Sequence, residues 1–177
     1  YCLREARIGI ADLDHVAVNT DPMANFVKKV GYTLRRRPDI NFVLERIRNK
    51  SKRAGVEEEI AKVFPGETVR ATIHYVEHHL SHLASAHLVS PFEESVAVSV
   101  DGFGDFSSGA WGVGRGSYIE VENRVFFPHS LGIFYQALTQ FIGFLNYGDE
   151  YKVMGLAPYG KPVFMDQMRQ IVQTNPD

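Results

Sequence analysis

The chain is poor in the features that mark extracellular, membrane and nucleic-acid-binding proteins. It has one cysteine, Cys2; that excludes an internal disulfide framework and makes a reducing cytosol the simplest setting. No apolar run approaches the roughly 20 residues of a membrane-spanning helix. Charge of one sign is not in excess either: the formal net charge is −2, so neither nucleic acid nor an anionic membrane is expected as a partner. The one basic concentration, "RIRNKSKR" at Arg46–Arg53, is offset by Glu57–Glu59 and reads as a solvated helix face. Internal repeats and low-complexity tracts are absent as well. What is present is 177 residues, 45% hydrophobic and 12% aromatic, enough apolar material for a sizeable core. The expectation is a soluble, cytoplasmic α/β protein.

Periodicity supports that class. "YCLREARIGIADLDHVAVNTDP" reads as a helix tail, a turn and a short buried strand at Asp14–Asn19. A helix follows around Ala24–Val30. The apolar positions Phe42, Val43, Ile47, Ile60, Val63 and Phe64 then suit one or two amphipathic helices with a break near Gly55. Thr68–Val76 has the β-branched content of a strand, and the histidine-rich segment after it reads as a helix. "ESVAVSVDGFGD" predicts a buried strand ending in a glycine turn. "SSGAWGVGRGSYIEVENRVFFP" predicts a hairpin or meander with turns near Gly114 and Asn123. "LGIFYQALTQFIGFL" reads as a well-buried helix, and Val163–Val172 as another. The chain opens on Tyr1 inside a helical pattern and stops at "QTNPD" with no closing element; a piece of a longer protein is expected.

Three stretches carry candidate chemistry. Five of the seven histidines lie between His74 and His87. On a helix, positions four apart stand on one face. His78 and His82 have that spacing, as do His74 and His78 if the helix starts early, and two imidazoles so placed can converge on zinc or iron. Hydrogen-bonded or half-exposed histidines with no ligand suit the pattern equally. The H-E-x-x-H motif of metalloproteases has the same spacing, but its base position holds His79 here, so that reading is set aside.

The second stretch, Ser99–Gly116, places Asp101 at the end of a strand, with Gly102, Gly104 and Asp105 following. A carboxylate there, beside glycines whose N–H groups can face an anion, suits a ligand site in an α/β sheet. An ordinary hairpin turn uses the same residue types. In the third stretch, "NYGDEYKVMGLAPYGKP", Lys152 can meet a phosphate or carboxylate as a point charge; a structural loop closing the preceding helix is the alternative.

Taken together and in order, "VEHHLSHLASAH", "VAVSVDGFGDFSS", "HSLGIFYQALTQFIGF" and "GDEYKVMGLAPYGKP" resemble the O-carbamoyltransferases that act on antibiotics and nodulation factors. The resemblance covers essentially the whole chain from Asp14 onward. It implies part of a larger domain similar to tRNA threonylcarbamoyltransferase, with the actin/Hsp70/sugar-kinase (ASKHA) fold: one partial lobe, a mixed sheet flanked by helices. It implies that carbamoyl phosphate and ATP give carbamoyl adenylate, whose carbamoyl group passes to the hydroxyl of a small-molecule acceptor. It makes His78 and His82 ligands of a divalent metal, Fe(II) or Zn(II), with Asp101 the third contact to the metal or its bound substrate. Gly102 and Gly104 would cradle the adenylate, and Lys152 would be a polar contact in the same cleft. No residue is singled out as a catalytic base.

The chain departs from the family pattern in what it omits. The opening strand hairpin, the second half of the larger domain and the YrdC-like domain are all missing from residues 1–177. Activity of this piece alone is therefore not expected. If the missing strands belong to the sheet, the edge they leave open favours self-association as a homodimer. Two other classes use the same architecture: a non-catalytic nucleotide-binding module and a sugar-kinase-like phosphotransferase. Neither explains the histidine pair.

Overall fold

A computed structural model describes residues 1–36 and 55–173. The basic run Arg46–Arg53 and the apolar positions Phe42, Val43 and Ile47 lie outside the described residues. The chain divides into two compact units, Tyr1–Ser130 and Leu131–Asp177.

The first unit is mixed α/β, with sheets flanked by helices. Helix α1 (Cys2–Ala6) and a 3-10 turn (Ile10–Asp12) lead to strand β1 (His15–Val18). Helices α2 (Phe26–Arg36) and α3 (Val56–Val63) precede strand β2 (Thr72–Tyr75). Then come helix α4 (His78–His87) and strands β3 (Glu94–Gly104), β4 (Ser107–Arg115) and β5 (Tyr118–Phe126). Gly55 caps α3 at the expected break.

Among the described residues the strands form two sheets rather than one mixed sheet: β1 and β2 pair in parallel, and β3, β4 and β5 form an antiparallel meander in that order. β1 and β2 are shorter and more exposed than their apolar content predicts: Val16 and Val18 of β1 and Ile73 of β2 turn inward, and the other residues of each strand are exposed. The same alternation divides β3. Ala97 and Ser99 are buried, whereas Val96, Val98 and Val100 on the other face are each about two-thirds exposed.

Helix α4 lies across the inner face of β3 and β4 and supplies the core, in which Leu83, Ala97 and Ala110 are buried and Ile119 and Val121 pack beside them. The chain enters this helix through Glu77, whose carboxylate accepts the Leu80 N–H at 2.8 Å and so satisfies one of the first-turn donors. Arg124 Nη2 on β5, 3.3 Å from Glu77 Oε2, holds that cap against the sheet.

Two turns differ from expectation. The β4–β5 turn forms at Gly116, where φ is +56°, and not at Gly114; Asn123 lies within β5 opposite Trp111, next to a register shift. The β3–β4 turn is made by Asp105 and Phe106, with φ of +48° and +74°, and not by glycine. Aspartate tolerates the left-handed region better than most residues. Phe106 is held there by aromatic packing against Tyr32 and Phe127.

The second unit holds α5 (Leu131–Phe141), α6 (Glu150–Leu156), a short 3-10 turn (Ala157–Tyr159) and α7 (Met165–Ile171). Within residues 1–177, α5 is not the buried helix its composition predicts: Thr139 alone among its residues is buried, and Phe141 is 87% exposed. The segment "EYKVMGL" is helical, where the sequence suggested a loop. Among the described residues no helix is long and apolar enough to cross a membrane.

Candidate metal centre

Helix α4 carries two stripes of side chains at a spacing of four. His79, Leu83 and His87 are buried against the sheet. His78 and His82 stand beside that stripe, on the side where β3 ends, and there they meet Asp101. His78 Nε2 lies 2.8 Å from Asp101 Oδ2 and 3.1 Å from His82 Nε2, and His82 Nε2 lies 3.5 Å from the same carboxylate oxygen. One ligand atom from each of the three residues falls within 4.8 Å of the others, a separation one ion can bridge. The cluster opens outward: the side chains of His78, Asp101 and His82 are 20%, 41% and 47% exposed. His74 is not part of it. It lies on β2, not on the helix, with Nε2 2.9 Å from His15 Nδ1 on β1.

Hydrogen-bond roles give this cluster its chemical character. His78 Nδ1 lies 3.3 Å from the Asn19 carbonyl oxygen, which can only accept, so Nδ1 carries the proton. In a neutral ring Nε2 is then a bare lone pair. It faces a carboxylate oxygen, which can only accept, beside a second imidazole nitrogen, that of His82. Such an arrangement is repulsive until a proton or a cation enters it. Without a cation, the hydrogen bond from His78 is the foremost cause that holds the Asp101 carboxyl below its usual range, partly opposed by burial. With a cation, a histidine ligand whose other nitrogen donates to a backbone carbonyl has the orientation and basicity that metal sites use. The donor set, two imidazoles and one carboxylate, suits zinc or iron(II).

Gly104 lies directly under this site. A Cβ there would overlap the His78 imidazole, so close approach of that ring, not a positive φ, requires glycine at 104. Gly102 donates its N–H to Asp101 Oδ1 at 2.7 Å, and its carbonyl accepts from Ser130 Oγ at 2.7 Å. Lys152 belongs to the second unit, where Nζ pairs with Asp149 Oδ1 at 2.6 Å. Each partner's hydrogen bond is the main cause that raises the lysine and lowers the aspartate.

Residues to which the sequence reading gave no role of their own hold the cluster in place. The Asn19 carbonyl orients His78. The Asp105 carboxylate accepts the His78 backbone N–H at 3.0 Å and the Asp21 N–H at 2.7 Å. Glu77 is the cap of the helix that carries both histidines. An acidic residue three before Leu80, at the start of an apolar-periodic run, is a recognisable capping signal; a backbone carbonyl on a distant loop has none.

Comparison with known proteins adds a second line. A family model described as the carbamoyltransferase N-terminus matches residues 2–175. The nodulation protein NolNO of Sinorhizobium fredii NGR234 is 34% identical over 172 residues, covering 92% of this chain and 23% of that protein. The nodulation protein NolO of Bradyrhizobium diazoefficiens is 46% identical over 96 residues, 53% of this chain and 16% of that protein. An uncharacterised protein of Synechocystis is 31% identical over 176 residues, 94% of this chain and 28% of that protein. The chain thus spans about a quarter of the length of the relatives that match nearly all of it.

Proposed function

The chain belongs to the carbamoyltransferase N-terminus family, and on that premise we propose that it is part of an O-carbamoyltransferase in which His78, His82 and Asp101 hold one divalent metal ion. The observation that carries the metal reading is the convergence of three acceptor atoms within 4.8 Å, with the remaining nitrogen of His78 committed to a carbonyl. Fe(II) and Zn(II) both suit that donor set. When bound, such an ion polarises a carbonyl and offsets negative charge on a leaving phosphate.

The substrate of this step is carbamoyl adenylate, made from carbamoyl phosphate and ATP. The acceptor's hydroxyl oxygen attacks the carbamoyl carbon. A C–O bond forms, the anhydride bond to AMP breaks, and the hydroxyl proton leaves to a base that these residues do not identify. His78, fixed at both ring nitrogens, orients the site, and Asp101 holds negative charge within it. The backbone around Gly102 and Gly104 lies beside the cluster, close enough to receive the adenylate. A nucleotide contact from Lys152 requires exchange of its present partner, Asp149. The setting of this chemistry is an actin/Hsp70/sugar-kinase type lobe in the cytoplasm, with the acceptor a small molecule.

Anaerobic titration of the metal-stripped chain with Fe(II), Zn(II) and Mn(II), with His78→Ala and His82→Ala alongside, tests the site. Stoichiometric binding that both substitutions abolish is expected. Equal binding by wild type and both variants overturns the ligand assignment. For the reaction, the longer polypeptide containing this chain is given ATP and labelled carbamoyl phosphate with a hydroxylated acceptor. Transfer of label to the acceptor is expected; phosphoryl transfer from ATP in its place overturns the reading.

A further inference from the structure

We propose that Asp105 is the positioning residue of the His78–His82–Asp101 cluster, the side chain through which both attachments of His78 are held. The proposal takes its functional meaning from the metal reading above, but its own test does not depend on that reading.

The case begins with the backbone. Asp105 occupies a left-handed position at the tip of the β3–β4 hairpin, φ +48°, which aims its carboxylate back at the start of helix α4. There Oδ2 accepts two main-chain donors, the N–H of His78 at 3.0 Å and that of Asp21 at 2.7 Å. Oδ1 accepts the Thr20 hydroxyl at 2.8 Å, and the Asp105 carbonyl accepts from Asn25 Nδ2 at 2.8 Å. One residue therefore ties three segments that are remote in the chain: the loop after β1, the first residue of α4, and the hairpin.

Those are also the segments that meet at His78. Its Nδ1 bonds the carbonyl of Asn19, the residue before Thr20. Its Nε2 faces Asp101, four positions before Asp105 on the same hairpin. Its ring lies on Gly104, next to Asp105. Asp105 touches neither donor atoms nor ring, so it acts through placement. A carboxylate suits the post because an unpaired N–H in a helix's first turn is a donor in search of an acceptor.

Three substitutions separate placement from general stability. Asp105→Gly keeps the left-handed backbone and removes the carboxylate. Asp105→Asn keeps every bond, since its amide oxygen can accept both N–H groups while its NH2 donates to the Thr20 hydroxyl. Asp105→Ser replaces Asp105→Gly if circular dichroism shows that variant unfolded. Two readings are taken on the 15N-labelled 177-residue chain: the His78 tautomer from long-range 1H–15N spectra of metal-free protein, and the affinity for Zn(II).

Wild type is expected to show the Nδ1–H tautomer at His78. Asp105→Gly is expected to lose it and to bind Zn(II) about 10- to 100-fold more weakly, the range for loss of a supporting contact to a ligand. Asp105→Asn is expected to keep the tautomer and to bind within about threefold of wild type. A folded Asp105→Gly with the wild-type tautomer and affinity overturns the proposal. So does an Asp105→Asn variant in which the tautomer changes. If wild type binds no Zn(II) while Asp105→Gly still loses the tautomer, the positioning role stands and the metal reading falls.

Discussion

Helix α4 sets two histidine stripes side by side, and they differ in burial and in the partners their rings meet. His79 and His87 flank Leu83 on the inner stripe and are buried. Each has a hydroxyl partner, Ser99 Oγ at 2.8 Å for His79 and Ser95 Oγ at 2.7 Å for His87. A hydroxyl can donate or accept, so it adapts to whichever tautomer the ring adopts. His87 also bonds the Gly116 carbonyl at 2.9 Å, which leaves neither ring nitrogen in want of a partner. His78 and His82 have no hydroxyl partner: both face the same carboxylate oxygen of Asp101, and they face each other. Spacing of four puts histidines in register with something; the chemistry of that something decides whether they are core or ligand. A glycine accommodates a ring in each stripe, Gly104 under His78 and Gly114 under His87.

The contrast can be broken most severely at Leu83, which is fully buried at the centre of the inner stripe. Leu83→Ala is expected to destabilise the chain by about 2–5 kcal/mol, read by denaturant unfolding. Next is His82→Ala, the outer stripe's own test. It should weaken metal binding more than about 100-fold, beyond what loss of a mere supporting contact gives, with little change in the unfolding midpoint. An equally large loss of stability would move His82 into the structural stripe.

The two glycines sharpen the comparison further. Gly104→Ala and Gly114→Ala each force a Cβ into an imidazole and should each destabilise by about 1–3 kcal/mol. Only Gly104→Ala should also impair metal binding. If Gly114→Ala impairs it equally, the stripes are not independent.

The smallest effect is one of pH on the metal-free chain. Burial is the main cause that depresses the His79 pKa below its ordinary 6.5, with the Ser107 backbone facing the ring and opposing it in part. The unfolded chain then binds a proton that the folded chain refuses. The contribution of neutral His79 is complete above about pH 6.5 and declines as pH falls below it. Urea midpoints measured from pH 7.5 to 5 should fall on the acid side, and the fall should shrink in His79→Gln.

Much of the site was legible in the sequence. The spacing of His78 and His82 and the strand leading to Asp101 are local patterns, and local patterns survive in a one-dimensional reading. The missed parts are of another kind. Asp105 reads as a turn residue because its partners at Thr20, Asp21 and Asn25 lie some 80 positions away. The Asn19 carbonyl belongs to the main chain, which carries no residue-specific mark. Helix α5 looked buried because apolar content shows a need for cover without saying where the cover is.

By itself, then, the sequence determined that α4 is a helix, that His78 and His82 share a face of it, and which family the motifs belong to. These follow from short-range geometry and from the identity of side chains. Only the tertiary structure decided that His79 and His87 are the histidines that meet the sheet. It also decided that Gly104 yields its space to a ring and that a hairpin carboxylate holds the helix start. A helix's period repeats every few residues, whereas the surface it packs on is built from strands that the chain has yet to make when the helix ends.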